Sequence, residues 1–185
     1  MKLAEFTKEG LLPAVDYEMT FLELRKSILV HEPNADYPQW DREWRASLVD
    51  SLEILTGQLW QVGIVDVFVN GSFVEDKDHP NDIDGYFVCE LEDLTSGRLT
   101  RELNLLDPFK IWTWDPASRR AYRGYPKKQL PMWHQYRVEL YPHFGQLSGI
   151  CDKYGNELEF PSAFRLSRRD GQPKGIVKLK QGGKP

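Results

Sequence analysis

"NGSFVEDKDHPNDIDG", residues 70–85, follows directly on an apolar run at 64–69, and the fold turns on how these sixteen residues are read. Runs 64–69 and 83–88 are rich in β-branched and aromatic residues and read as two neighbouring buried strands joined by the charged loop EDKDHPN. Successive side chains on a strand face opposite ways, so Asp82 and Asp84 share a face while Ile83 enters the core. Two carboxylates held side by side repel, and each raises the pKa of the other unless a cation sits between them. Mg²⁺ suits that position because it favours one or two carboxylates plus phosphate oxygens over an all-protein cage. Gly71 and Ser72, at the end of the first strand, supply the complement: glycine lets backbone amides approach a phosphate closely, and serine adds a hydroxyl donor. Each piece taken alone has an ordinary explanation, HPND as turn chemistry and D-x-D as a solvated strand mouth. Their order along the chain is what argues for a metal–nucleotide site.

Outward from this block, Thr20 and Glu23 have capping-box spacing ahead of Phe21, Leu22, Leu24 and Ile28, a short helix that must stop before Pro33. Trp40, Trp44, Leu48, Leu52, Leu55 and Leu59 recur at three- and four-residue steps and line one face of a longer helix over 39–60, a stripe better suited to core packing than to a partner groove. A further helix is expected over 91–106, weakened by Gly97. Residues 108–134 scatter Pro, Trp, Tyr and Arg with no period and read as an irregular excursion. Strands follow at 136–141, 147–151, 157–160 and 175–179, with KYGNE as the turn of a hairpin. On the first of these, Arg137, Glu139 and Tyr141 share one face and Tyr136, Val138 and Leu140 the other. The closing QGGKP reads as a tail, since no strand–turn–helix pattern surrounds it.

At 185 residues and 41% hydrophobic, the chain supports one sizeable core. No stretch approaches the roughly 18–20 apolar residues of a membrane span, and MKLAEFTKEG lacks the apolar centre of a signal peptide, so a cytoplasmic protein without membrane contact is expected. Cys89 and Cys151 have no metal spacing and are expected as buried free thiols; the four histidines make no zinc pattern. The net charge of −4 conceals a division, with acids in excess up to Asp107 and bases in excess beyond it. An anionic partner for the later part, or pairing between the two parts, would explain it equally well. Arg119, Arg120, Arg123, Lys127 and Lys128, interleaved with Tyr122 and Tyr125, suit nucleic acid or nucleotide, or else form a solvated loop. Arg169 and Lys174, in RDGQPKG, are a second candidate phosphate contact, or a surface hairpin.

Gly71-Ser72, nine intervening residues and Asp82-Ile83-Asp84 entering the next strand resemble the signature of the nucleotidyltransferase superfamily that includes DNA polymerase beta and the minimal nucleotidyltransferases. More narrowly, GLLPAVDYEMTFLELRKSI, NGSFVEDKDHPNDIDGYFV, VELYP and RRDGQPKGIVKL are similar to a family of polymerase-beta-like proteins from bacteria and phage. The resemblance implies an α/β (α+β) fold: one domain over 1–185, a mixed β-sheet flanked by helices, with a helical part at 1–62, a catalytic core at 63–141 and a β-rich extension at 142–185. It implies transfer of NMP from an NTP to a hydroxyl of a protein, tRNA or small molecule, with two Mg²⁺ (or Mn²⁺) ions held by Asp82, Asp84 and a third acid matched by Glu139, and with Gly71, Ser72 and Lys174 on the phosphates. Similar small members act in toxin–antitoxin or phage-defence settings. Gly85, where the superfamily has an apolar residue, and Glu139 in place of Asp are the departures. A non-catalytic nucleic-acid- or protein-binding module on the same fold is the alternative; a D-x-D glycosyltransferase would need a longer chain.

Overall fold

A computed structural model describes residues 3–34 and 36–182. It is an α+β structure with a five-stranded mixed sheet, a two-stranded sheet and, among the described residues, six α-helices. The strands are β1 (Asp16–Met19), β2 (Val67–Asn70), β3 (Ile83–Val88), β4 (Val138–His143), β5 (Leu147–Cys151), β6 (Glu157–Glu159) and β7 (Ile176–Leu179). The helices are α1 (Phe21–Arg25), α2 (Arg42–Gln61), α3 (Leu91–Thr95), α4 (Arg98–Leu106), α5 (Pro131–Tyr136) and α6 (Phe160–Ala163). β2 pairs antiparallel with β3 and with β7, whereas β1–β7 and β3–β4 are parallel.

Local chemistry accounts for most of these boundaries. Thr20 and Glu23 close their capping box, Thr20 N–H donating to Glu23 Oε2 at 2.8 Å and Glu23 N–H to Thr20 Oγ1 at 3.2 Å. The Thr20 N–H, and after it the Thr20 hydroxyl, both donating to Glu23 Oε2, pull the Glu23 carboxyl down to about 2. Asp41 caps α2 through Trp44 N–H, and Leu48, Val49, Leu52, Leu55 and Leu59 are buried against the inner face of the sheet. Each such side chain taken out of water contributes about 1.5–3 kcal/mol. Gly97, at φ 68°, splits the helix expected over 91–106 into α3 and α4. Pro131 opens α5 at the one place where a missing N–H costs nothing, and Arg137, at φ 55°, turns the chain out of it into β4.

Three expectations need correction. Tyr136 ends α5 and β4 starts at Val138, because the Pro131 helix start overrides the strand pattern read over 136–141. The parts 1–62 and 142–185 are not a helical part and an appended extension, since β1 and β7 both belong to the main sheet and β7 lies inside it, between β1 and β2. Of the two free thiols, Cys89 is buried but Cys151 is exposed on β5. Part of the QGGKP tail lies outside the described residues. No helix among the described residues is long and apolar enough to cross a membrane.

The sheet has two unlike faces. Val67, Val69, Ile83, Phe87, Val138, Leu140, Val177 and Leu179 face the helices in the main core. The opposite face carries, in register from β2 to β4, Asn70, Asp84 and Glu139, then Phe68, Tyr86 and Tyr141. Phe160 and Phe164, at either end of α6, cover the aromatic row, with Phe160 stacked on Tyr141 at 5.5 Å between centroids. The polar row is left as the floor of a cleft.

Candidate active site

The cleft, of about 910 Å³, is floored by Asn70, Gly71, Asp84 and Glu139 and has Asp82 at its edge. Gly71 opens a 3₁₀ turn (Gly71–Val74) at the end of β2 with φ 74°, a left-handed conformation that suits glycine. Its Cα also passes close to β3, where a side-chain carbon on Gly71 would stand 2.6 Å from Asp84 Oδ2. The conformation and the close approach require glycine independently. Gly71→Ala is therefore expected to leave the fold intact by far-UV circular dichroism while displacing the Asp84 carboxylate, with a cost of about 1–2 kcal/mol from the backbone alone and loss of any thermal shift on adding Mg²⁺ with NTP. Gly85 has a packing reason of its own: a β-carbon there would collide with the Phe68 carbonyl and lie 2.8 Å from Leu140 Cδ2.

Asp84 and Glu139 are register partners on adjacent parallel strands. Burial, then Asp82, pushes the Asp84 carboxyl up from its ordinary 3.8 to about 7; Glu139 acts in the same direction, and Arg168 and Lys174 oppose it. The floor is thus short of positive charge. Asp82 is oriented by the buried Trp133, whose Nε1–H donates to its Oδ2 at 2.7 Å. Glu139 is engaged at both oxygens: Leu130 N–H donates to Oε1 at 2.8 Å and the Tyr141 hydroxyl donates to Oε2. Arg119 stands 3.7 Å from Glu139 Oε1 and donates to the Tyr141 oxygen at 3.2 Å. Burial and the adjacent Glu139 raise the Tyr141 pKa, so this hydroxyl keeps its proton.

Three acids therefore line one cleft, but they do not form a ready-made cage. Among the described residues no group of three or more His, Cys, Asp or Glu side chains is placed to hold a metal ion. Asp82 and Asp84 would suit a Mg²⁺ ion that brings phosphate oxygens with it, which is this ion's usual habit; Glu139, the register partner of Asp84, accepts one donor on each oxygen and keeps a lone pair on each.

Cations flank the acids on both sides. On the β7 side Lys174 is buried, forms an ion pair with Glu75 at 2.5 Å and donates to the Gly71 carbonyl at 3.2 Å. It braces the turn from within the cleft lining, at a position the sequence offers as a phosphate contact. Arg169 donates to the Glu9 carbonyl at 2.5 Å. Arg168, exposed, beside Asp84 in charge and without a side-chain partner among the described residues, is the better placed cation; nothing in the pair RR distinguishes it from its neighbour. Ser72 also lines the cleft with no side-chain partner among the described residues. On the β4 side stand Arg119, Lys127 and Lys128, whereas Arg120 and Arg123 lie outside the lining. Trp133, Tyr141 and Arg168 were not foreseen as site residues, although strand alternation had already put Tyr141 on the face of Glu139.

Fold and site define an α+β protein with a cleft that has acids on its floor and cations on its walls. Residues 4–180 match a family described as a family of unknown function, DUF6932, and the chain belongs to that family. No curated protein and no solved structure matches it.

Proposed function

We propose that the chain is a cytoplasmic, divalent-metal-dependent nucleotidyltransferase that moves NMP from an NTP to an acceptor hydroxyl. The observation that carries this reading is the contact of Gly71 with Asp84: a left-handed glycine turn seats backbone against a carboxylate whose charge its neighbours oppose. Asp82 and Asp84 would hold the metal together with phosphate oxygens. When bound, it would lower the pKa of the acceptor hydroxyl and offset charge on the leaving group. Ser72 and Arg168 would bind the β and γ phosphates, Lys174 would keep the Gly71 turn in place, and Trp133 would fix the rotamer of Asp82. The acceptor oxygen bonds to the α-phosphorus, the bond from that phosphorus to the α–β bridging oxygen breaks, pyrophosphate leaves, and the hydroxyl proton passes to water in the open cleft. Holding the reactants in line is a large share of the work in such a transfer.

One observation favours a second reading, a binding module without catalysis: both oxygens of the third acid are already engaged. Incubation with each α-labelled NTP, Mg²⁺ or Mn²⁺, and cell extract separates the two. The enzyme transfers label and Asp82→Ala/Asp84→Ala does not. No transfer from any NTP, together with no thermal shift from Mg²⁺ and NTP, would leave only the module.

A further inference from the structure

The cations of the later part of the chain are of two kinds. Arg165, Lys174 and Lys178 form ion pairs with Asp16, Glu75 and Asp66 of the earlier part, so pairing between the parts accounts for them. Arg120, Arg123, Lys127 and Lys128 do not pair in this way. All four are exposed, and among the described residues none has a side-chain hydrogen bond or a carboxylate within ion-pair distance. No acidic residue occurs between Asp115 and Glu139 to offset them.

These cations are carried on a braced hook. Arg120 and Gln129 close its base with two backbone hydrogen bonds of 2.8 Å, and Arg119 Nη1 ties it to the Lys128 carbonyl at 3.2 Å. Inside the hook Tyr122 and Tyr125 pack edge-on against Trp133 at 5.0 and 4.8 Å, and the Arg137 guanidinium lies 3.8 Å from the same indole. Because Trp133 also holds Asp82, the hook is fixed relative to the acids, and its Lys127 and Lys128 form the cleft wall on the β4 side. That wall is opposite the Gly71 turn and Arg168, where the nucleotide phosphates belong on the transferase reading. It is left for the acceptor.

We infer that the acceptor is the hydroxyl end of a single-stranded nucleic acid, its last phosphates running along Lys127, Lys128, Arg123 and Arg120. This inference rests on the transferase reading of the same cleft. A strand suits the wall better than a protein does, because lysine is depleted at protein–protein interfaces, whereas cations beside aromatic rings are the usual way to track a backbone and stack unpaired bases. Tyr122, 40% exposed, retains ring surface for this. A cleft of about 910 Å³ has room for a nucleotide together with a strand terminus.

Fluorescence anisotropy with labelled twelve-nucleotide RNA and DNA, without metal, tests the inference on the full chain. Four phosphate contacts at about 0.7 each in log–log salt slope predict roughly a 50-fold loss of affinity between 50 and 200 mM salt. Lys127→Ala/Lys128→Ala, at exposed positions, should lower the slope by about 1.4, and Asp82→Ala/Asp84→Ala should bind at least as well as the unaltered chain. RNA and DNA arms separate the two strand types. Absence of binding at 50 mM salt, or an unchanged slope in the lysine variant, overturns the inference; so does label transfer to a protein at an undiminished rate in that variant, which would identify a protein acceptor that does not use these lysines. Each of these leaves the transferase reading intact. Strand binding with no transfer from any NTP has the reverse meaning: the surface stands and the catalytic reading fails.

Discussion

Asp84→Asn is expected to abolish nucleotide transfer, by several powers of ten, while raising the melting temperature at pH 8 in the absence of metal. Both effects have the same origin. The unaltered carboxyl holds its proton up to about pH 7 in the folded chain against 3.8 in the unfolded one, so between those values the folded state binds more protons. Stability from this group is then fully present below about pH 4 and is lost as pH rises towards 7, the reverse of a salt-bridged aspartate. Asparagine removes the charge at nearly the same size and escapes that loss. Melting curves at pH 5 and pH 8 should therefore diverge for the unaltered chain and nearly coincide for the variant, with about 2–4 °C for each kcal/mol at this chain length. Mg²⁺ with NTP should stabilise the unaltered chain and not the variant; Mg²⁺ alone should do little, since the described residues supply no metal site without phosphate. A variant that melts lower than the unaltered chain at pH 8 would show that Asp84 is not held against its neighbours' charge.

Arg45→Met is expected to be the most damaging substitution for stability, at about 3–5 kcal/mol. Arg45 is fully buried in α2 and its guanidinium donates to the carbonyls of Leu29, Phe73, Glu75 and Lys77 at 2.7, 2.9, 3.2 and 2.5 Å. It also lies 3.7 Å from the Trp40 ring. Burial drives its pKa down to about 9, so it remains charged at neutral pH. Methionine fills much of the volume but leaves those carbonyls without donors, and each buried acceptor so orphaned costs about 1–3 kcal/mol. Because three of the carbonyls belong to 73–77, the chain between the Gly71 turn and Asp82 should loosen first. Denaturant titration measures the loss, and hydrogen exchange should localise it. Arg45→Lys should recover only part, since an ammonium group cannot span all four acceptors. Little loss in Arg45→Met would mean that water takes over the carbonyls.

The elements that sequence reading located well were those whose signal is local. The capping box at Thr20, the leucine stripe of α2 and strand β3 need only neighbours in sequence. The misreadings arose where a distant contact decides. β1 is four residues long and becomes a strand by lying beside β7, more than 150 residues later, which no window of sequence can register. Arg45 occupies a stripe position three residues before Leu48, and a charge there was the available sign of a buried cation; its partners lie in two other segments. At the site, Gly71, Asp82 and Asp84 could be found because one turn and one strand present them. Glu139 was located, but its bonds to Leu130 and Tyr141 depend on how the excursion 108–134 folds back. The ion pair of Lys174 is not legible in the sequence, because its partner Glu75 is almost a hundred positions away.

The placement of β7 has a consequence for how the protein is made. A strand from beyond residue 175 separates β1 from β2, so until the ribosome has released it the emerging polypeptide exposes two unzipped borders. Lys174, which props the glycine turn, arrives with that same segment. The cleft therefore assembles only after synthesis has passed this point, and a copy halted earlier should be inert and inclined to stick to its neighbours, whatever the condition of its acidic residues.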